Sequence, residues 1–526
     1  MGKRTDERAG FWTMQELDKM KGSIYTRWGI QDWGLRYPWW GTPAKVRLLL
    51  YGDSGILKDG SSFIGLTYVK TLLESRAFYY VDFDITTVDR NGLDPGATIP
   101  GAKDLTELDV LDQYDEIWFF GFNENPNLSA AELTVLNDFM SAPKFGGVLV
   151  TGDHADLGKG IAGQIPRAGV MRQYPAPPIF GPTWNTTLEE GPDSGSDYNF
   201  NDQSDDRPQE VRYRLFRMPS LAWNIRRYRP HPVLCGPDGP IDVFPDHQHE
   251  GEALAPIPAA GDPIWPTKNG HQEQPVVIGW GRIKDPNATK VGQEIGLVSA
   301  YDGHTVDVGR ILADSTWHHW FDINLLGISP SAPYAGFDAT PAGQAALKKI
   351  DAYFLNCGVW LAPPDRQAAM RNVGWSSILW TDQVVELSKK APLWYLGGEA
   401  IDVLGRRASR CTVTDWIFDD PIFKEKIPWW EWPQFTERLQ LISLPFEQYL
   451  AGGMLRELME QVGPWNSKQS FPSCPPDAQV VSRCLTEGAQ KGLAALGHDV
   501  KGEMAFVAKL VETDFKFSSA CEKAPR

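Results

Sequence analysis

Residues 146–151, Gly-Gly-Val-Leu-Val-Thr, constrain the fold more than any other stretch. A short apolar run that opens on glycines and breaks into a polar, glycine-bounded turn reads as a strand buried on both faces. Such strands belong to sheets covered by helices on both sides, so the flanking segments should alternate between strand and amphipathic helix. Residues 45–51, 81–88 and 116–122 supply three further strands. From Phe63, the apolar residues Phe63, Leu66, Val69, Leu72 and Leu73 fall at helical spacing. Ser129 stands three residues before Glu132, the spacing of a capping box, and Leu133, Leu136, Phe139 and Met140 give the following helix its apolar stripe. The pattern predicts an α/β fold with a doubly wound, mostly parallel sheet.

Around that sheet the chain divides. Residues 1–44 are aromatic, with Trp28, Trp33, Trp39 and Trp40, and read as an irregular N-terminal arm packed on the body. Residues 45–335 form the α/β domain, interrupted at about 155–275 by a Pro/Gly-rich, polar insertion with an acidic, mobile segment at 189–207. Compact domains seldom leave so long a stretch structureless, and insertions at the catalytic edge of a sheet often serve as lids or pocket walls. Strand patterns return at 275–283, 295–302 and 306–315, with Asp302-Gly303 as a hairpin turn between the last two. Thr340-Pro341 then starts a helix, a capping residue followed by proline at the first helical position. Leu347, Ile350, Phe354 and Cys357 continue one face of it, and residues 365–390, 434–461 and 477–515 are also helical in pattern. The region 340–526 is therefore a helical domain or subdomain, with a Pro/Trp-rich connector at 421–433.

Composition narrows the partners. A formal charge of -16 with no Lys/Arg-rich run disfavours nucleic acid, whose phosphates need a basic face. No apolar run approaches the ~20 residues that span a bilayer, and the N-terminus has no apolar signal core. The six cysteines contain no CxxC and read as reduced thiols in a cytoplasm-like compartment. Tryptophan, at 21 residues, points to large cores and interfaces or to sugar-stacking platforms. The Trp-rich C-terminal region is a candidate surface for a protein partner or a second copy of the chain.

In an open α/β sheet the chemistry sits where loops leave the carboxyl ends of the strands. His154 stands on the exit of the 146–151 strand, flanked by Asp153 and Asp156. Eight of the nine histidines lie between His154 and His319, which concentrates imidazole in this domain. Besides the first cluster there are two more, Asp246-His247-Gln248-His249-Glu250 and Asp314-Ser315-Thr316-Trp317-His318-His319. Loops at 52–62, 123–125, 152–158 and 315–319 should meet at one edge, with the insertion bringing 246–252 over them. The resulting pocket would use His154, Glu250, His318 and Asp153 for catalysis, and Asp53, Ser54, Asn123, Glu124 and Trp317 to hold a small-molecule substrate. His247, His249 and His319 are candidate ligands for a divalent metal, zinc, iron or manganese. The same residue types are general acids and bases near neutral pH without any metal. There is no H-E-x-x-H, no Cys/His zinc set and no G-x-S-x-G elbow. The glycine-rich residues 52–60 match neither GxGxxG nor a Walker A loop.

Gly146-Gly147, Gly152 and His154 together resemble the glycine-rich strand and elbow of the trehalose-utilisation (ThuA-like) proteins, which have the class I glutamine-amidotransferase-like, flavodoxin-like fold. His231-Pro232-Val233 followed by Asp246 resembles that family's His-Pro stretch, and Gly309-Arg310-Ile311 running to Thr316-Trp317-His318 is similar to its final strand. The resemblance covers about 45–330 and implies a sugar-linked substrate. Glutamine amidotransferases carry a nucleophilic Cys at the elbow; here His154 holds that place and Asp156 replaces the last glycine. An imidazole there cannot form the thioester that releases ammonia from glutamine, so glutaminase activity is not expected.

Three readings follow. The first is an enzyme that hydrolyses, or moves a proton next to a carbonyl in, a small polar or carbohydrate-like compound, with metal assistance or with His154 and Glu250 as base and acid. The second is a non-catalytic amidotransferase-like scaffold that binds a protein through its tryptophans. The third is a carbohydrate-binding protein without turnover.

Overall fold

In the computed structural model the described residues are 14–29, 42–55, 65–94, 96–152, 156–173, 208–217, 228–245, 251–282, 292–327, 336–418, 446–463 and 476–522. They divide into two compact units, 1–214 with 230–370, and 215–229 with 371–526.

The first unit is an α/β structure built on one mixed sheet of eight strands. In chain order these are β1 (Ala44–Gly52), β2 (Val81–Asp89), β3 (Glu116–Phe120), β4 (Gly147–Thr151), β5 (Arg212–Tyr213), β6 (Val276–Arg282), β7 (Glu294–Tyr301) and β8 (Ile311–Asp314). Their spatial order is β2-β1-β3-β4-β8-β7-β6-β5. The first five in that order run parallel, with Leu48 opposite Glu116, Ile117 opposite Val148 and Val148 opposite Ile311. β7, β6 and β5 then continue antiparallel. The expected strands are thus present, but the sheet is mixed: the segment 306–315 shrinks to β8 and wedges beside β4. The connection from β7 to β8 is not a tight Asp302-Gly303 turn. It runs through 302–310 with a 3₁₀ turn at Gly303–Val306, and Arg310 Nε bridges back to Asp302 at 2.8 Å.

Alternation along the buried strands sends side chains to two cores. On one face Leu49, Tyr51, Ile117, Phe119, Val148 and Val150 pack with Leu136, Phe139 and Met140. The last three come from the helix Ala130–Met140, whose start carries the expected capping box between Ser129 and Glu132. On the other face Trp118 and Phe120 meet Trp320, which packs on Tyr353 and Phe354. Each such side chain removed from water contributes roughly 1.5–3 kcal/mol before entropy is counted.

Five helices matter to the site and its frame. They are α1 (Met14–Trp28), α2 (Thr67–Glu74), α3 (Ala130–Met140), α4 (Asp322–Leu326) and α5 (Pro341–Leu361). The N-terminal arm is therefore helical where described. It is pinned by Arg27, which donates to Asp351 at 2.8 Å, Asp338 at 2.9 Å and Tyr68 at 2.6 Å. Thr340 caps α5 through the Gly343 amide, as its Thr-Pro start predicts. α5 was expected in the C-terminal region, yet it belongs to the first unit. It is buried along most of its length, and Gly147 of β4 lies so close to Leu361 that a Cβ there would collide. A helix with apolar residues most of the way round is a core element, whatever its position in the chain.

The insertion contributes short paired strands, Gln209–Glu210 with Val243–Phe244, Cys235–Gly236 with Gly239–Pro240, and Thr267–Lys268 with His271–Gln272. The acidic segment 189–207 lies outside the described residues. The second unit is helical, with Leu393–Ala408, Phe446–Gln461 and the long Ala478–Glu522 packed at backbone contact. Gly452 abuts the Leu393 carbonyl, and Gly453 abuts Gly488. The connector 421–433 lies outside the described residues.

Cys235 and Cys411 each take part in a disulfide, whereas Cys357 and Cys484 are free and buried. This corrects the expectation of reduced thiols throughout, and with it the cysteine-based case for a cytoplasm-like compartment. Spacing along a sequence does not report which sulfurs reach bonding distance. No helix among the described residues is long and apolar enough to cross a membrane.

Candidate functional site at the carboxyl edge of the sheet

The strand order reverses between β1 and β3, because the chain first goes outward from β1 to β2 and then returns to β3. In open α/β sheets the crevice for a ligand lies outside the carboxyl ends of the strands at such a switch point. Asp53 follows β1 there and is 2% exposed. Its carboxylate accepts the Phe122 amide at 2.7 Å and the Asn123 amide at 3.2 Å, the first two described positions after Gly121 at the end of β3. The Asn123 and Asn91 side chains in turn donate to the Asp53 carbonyl, at 2.9 and 2.5 Å. Asp89, at the end of β2, accepts the Gly55 amide and the Asn91 amide. Three strand exits are stitched together by side-chain-to-backbone bonds.

Burial pushes the Asp53 carboxyl up to about 6, against the lowering effect of the Phe122 and Asn123 donors and with a further push from Asp89. Ser54 Oγ reaches the same carboxylate only at 3.5 Å. Glu124 is exposed on the loop beyond.

The helix N-terminus next to this crevice is already filled. Asp322 accepts the Thr67 amide at 3.2 Å and the Tyr68 amide at 2.8 Å, so a carboxylate of the protein itself occupies the start of α2. That is the position where a nucleotide phosphate would sit in a dinucleotide fold, and the mismatch to GxGxxG agrees with its being taken.

Beyond β3, the exits of β4 and β8 are joined by backbone and aromatic contacts. Trp317 donates its amide to the Gly152 carbonyl at 3.1 Å. Its indole stacks on Phe122 at 4.7 Å, on Phe321 at 4.8 Å and on His318 at 4.2 Å. Gly121, Gly152 and Gly158 approach one another so closely that a Cβ on any of them would press on backbone. Gly158 also has a φ of +90°, open to glycine at no steric cost.

His318 and His319 are both fully buried and face different neighbours. His318 lies on Trp317. His319 turns to Asp314, with Nδ1 2.8 Å from Oδ1, and its ring is 4.5 Å from Phe244. Asp314 also accepts the Thr316 amide at 3.1 Å, Trp320 Nε1 at 3.1 Å and the Tyr353 hydroxyl at 2.6 Å. Four donors therefore fill a carboxylate that has no exposure to water.

The expected residues thus sort into groups. Asp53 and Asn123 are brought together, Ser54 stands at the limit of contact, and Trp317 stacks on both Phe122 and His318. His319 is drawn away into the Asp314 network, and Glu124 faces solvent. Asp153, His154, His247, His249 and Glu250 lie outside the described residues. Among the described residues no group of three or more His, Cys, Asp or Glu side chains is arranged to hold a metal.

One residue was not anticipated. Arg172, 2% exposed, donates to the Ser315 carbonyl through Nε at 2.9 Å and a terminal nitrogen at 2.6 Å, and to the Gln173 carbonyl at 3.1 Å. Its guanidinium lies against both Gly152 and Gly251, with Cβ positions there 3.0 and 3.2 Å from it. Gly152 leads into 153–155 and Gly251 follows 246–250, so the borders of both histidine-bearing segments meet at one buried arginine. Arg172 sits in the aperiodic insertion, where no sequence pattern marks a residue as inward-facing.

Comparison with family models, with curated proteins and with solved structures finds no match to this chain.

Proposed function

We propose that the chain is an enzyme whose active site is the crevice at the carboxyl edge of β1, β3, β4 and β8, acting by proton transfer or hydrolysis on a small polar or carbohydrate-like compound. The observation that carries this reading is Asp53. It is a buried carboxyl at the topological switch point, with a pKa near 6 and half-buried Ser54, Phe122 and Asn123 beside it. A general base works best when its pKa lies close to the working pH. Phe122, half-buried and backed by the buried Trp317, supplies an aromatic group of the sort sugars pack against. Arg172 supports the inclusion of His154 and Glu250, because Gly152 and Gly251, which border the segments that bear them, both lie against its guanidinium. The strand order β2-β1-β3-β4 agrees with a flavodoxin-like sheet, and in this reading the protein is a ThuA-like, amidotransferase-like variant without the elbow thiol.

Metal assistance is the variant of this reading that draws on His247, His249 and His319. A divalent ion there would polarise a carbonyl or acidify a bound water. Of the three only His319 is described, and its Nδ1–Asp314 contact is the carboxylate–histidine pairing that fixes the tautomer of a ligating imidazole through Nε2.

The test is a panel of nitrophenyl glycosides and esters, with deuterium wash-in next to the carbonyl of keto sugars followed by NMR. Asp53→Asn should lower kcat by about 10²-fold or more on any compound turned over. The wild-type rate should rise through pH about 6, as the base loses its proton. Turnover indifferent to Asp53→Asn, or no turnover across the panel, would sink the proposal. The scaffold reading has one observation in its favour: Trp394 and Tyr395 stand exposed side by side in the second unit.

A further inference from the structure

On the opposite, amino edge of the sheet a second buried charge lacks a counter-charge. Arg167 is 5% exposed and follows the loop after β4. One terminal nitrogen donates to the Ile264 carbonyl at 3.0 Å, and the other reaches only the Met140 sulfur, at 3.9 Å. Nε has no hydrogen-bond partner, and among the described residues no carboxylate pairs with the guanidinium. Burial pulls its pKa down, and no carboxylate among the described residues opposes it.

Tyr301 is fully buried at the end of β7, with its ring centroid 6.0 Å from the guanidinium carbon. Its hydroxyl likewise has no partner. Met140 and Trp265 of the sheet core touch the pair, one at the guanidinium and the other at the tyrosine ring. Arg167 holds a φ of +68°, a conformation that side-chain-bearing residues rarely adopt. Buried charges in proteins are paired, and buried donors are bonded. Here Nε–H of a buried cation and a buried hydroxyl both lack an acceptor in the same apolar surroundings.

We infer that Arg167 and Tyr301 form a buried site for a small monovalent anion of halide size. The anion would neutralise the guanidinium and accept from Nε–H and from the Tyr301 hydroxyl. With Met140 against the guanidinium and Trp265 against the tyrosine ring, a compact inorganic ion suits these surroundings better than an organic acid. It is separate from the crevice at Asp53 and does not depend on the enzymatic reading.

Thermal unfolding of the full chain tests this as chloride replaces gluconate at constant ionic strength. A ligand that binds only the folded state raises the midpoint as its concentration passes Kd. The wild-type midpoint should rise with chloride. Arg167→Met should weaken the fitted chloride affinity by about ten-fold or more, the loss of a charge-assisted bond, and Tyr301→Phe by about three-fold. A wild-type midpoint indifferent to chloride would overturn the inference, and so would a rise of equal size in both variants. Should Arg167→Met fail to fold, Tyr301→Phe keeps the ring and its packing, and decides alone.

Discussion

Asp53 and Asp314 both stand where parallel strands of one sheet end, both are withdrawn from water, and the chain treats them differently. Asp314 receives four donors, three of them from side chains that arrive from the 3₁₀ turn after β8 and from α5. Asp53 receives two backbone amides from the β3 exit and only a distant Ser54 hydroxyl besides, and burial raises its pKa to about 6. A carboxylate saturated with donors is a structural pin: every lone pair is committed and the network around it is locked. A carboxylate that is buried but under-supplied keeps its proton more readily, which is how a group is made ready to exchange one near neutral pH. The lesson is that burial alone does not distinguish these two aspartates. The number of donors that come with the burial does.

The strongest way to break that contrast is to remove the charge at each position in turn. Asp314→Asn puts an amide N–H where a donor already points, so at least one of Trp320, Tyr353 and His319 loses its acceptor in a water-free site. The expected loss of stability is about 3–5 kcal/mol, as for breaking a buried charged network from one side. Asp53→Asn should cost far less above pH 7, because it also removes a carboxylate that burial disfavours. Urea unfolding of both variants at pH 8 reads the difference. Equal losses would mean that the two aspartates do the same job.

The second way is through pH. The Asp53 carboxyl is raised from an ordinary 3.8 to about 6 in the folded chain. Between those values the folded state holds a proton that the unfolded state has released. The contribution is therefore fully present below pH 4 and is lost as the pH rises through about 6, up to ~3 kcal/mol in all. The difference in unfolding free energy between wild type and Asp53→Asn should move in favour of the variant over pH 4 to 6 and then level off. A difference that is flat across this window would place Asp53 among the ordinary surface acids and remove the basis for a base at the switch point.

How much of this was legible depends on the range of the interaction. The Gly147–Thr151 strand, the Ser129–Glu132 box and the Thr340 cap were readable, because each is specified within a few neighbouring residues. The pairing of β8 with β4 was not, since it joins positions far apart in the chain and depends on α5 covering the same face. Asp53 and Asn123 were singled out as separate loop residues, but their contact follows only from β1 lying next to β3. His319 was singled out by its type alone; that its Nδ1 faces the carboxylate five residues earlier follows only from the 3₁₀ turn at Trp317–His319, which no spacing rule marks. Arg172 carried no signal, because a lone arginine in a polar, Pro/Gly-rich stretch looks like any solvated one.

A third carboxyl sharpens the comparison with the smallest effect. Glu116 opens β3 at the amino edge, is fully buried, and has a single partner, Trp118 Nε1 at 2.9 Å. Its Oε1 has none. Burial raises its pKa well above the ordinary value, and the Trp118 donor does not offset this. By the donor-count argument it is the protonated extreme of the series, a neutral acid inside the core. Glu116→Gln is then nearly isosteric with the species present, and its amide oxygen can still accept from Trp118. The folded wild type keeps a proton that the unfolded chain loses above its own pKa, so wild-type stability falls as the pH rises and that of the variant does not. Glu116→Gln should match wild type at pH 4 and exceed it at pH 8, by a margin on the order of 1 kcal/mol. If the variant were instead less stable at pH 8, Glu116 would be ionised in the fold. Donor count would then fail as the rule that separates these three acids.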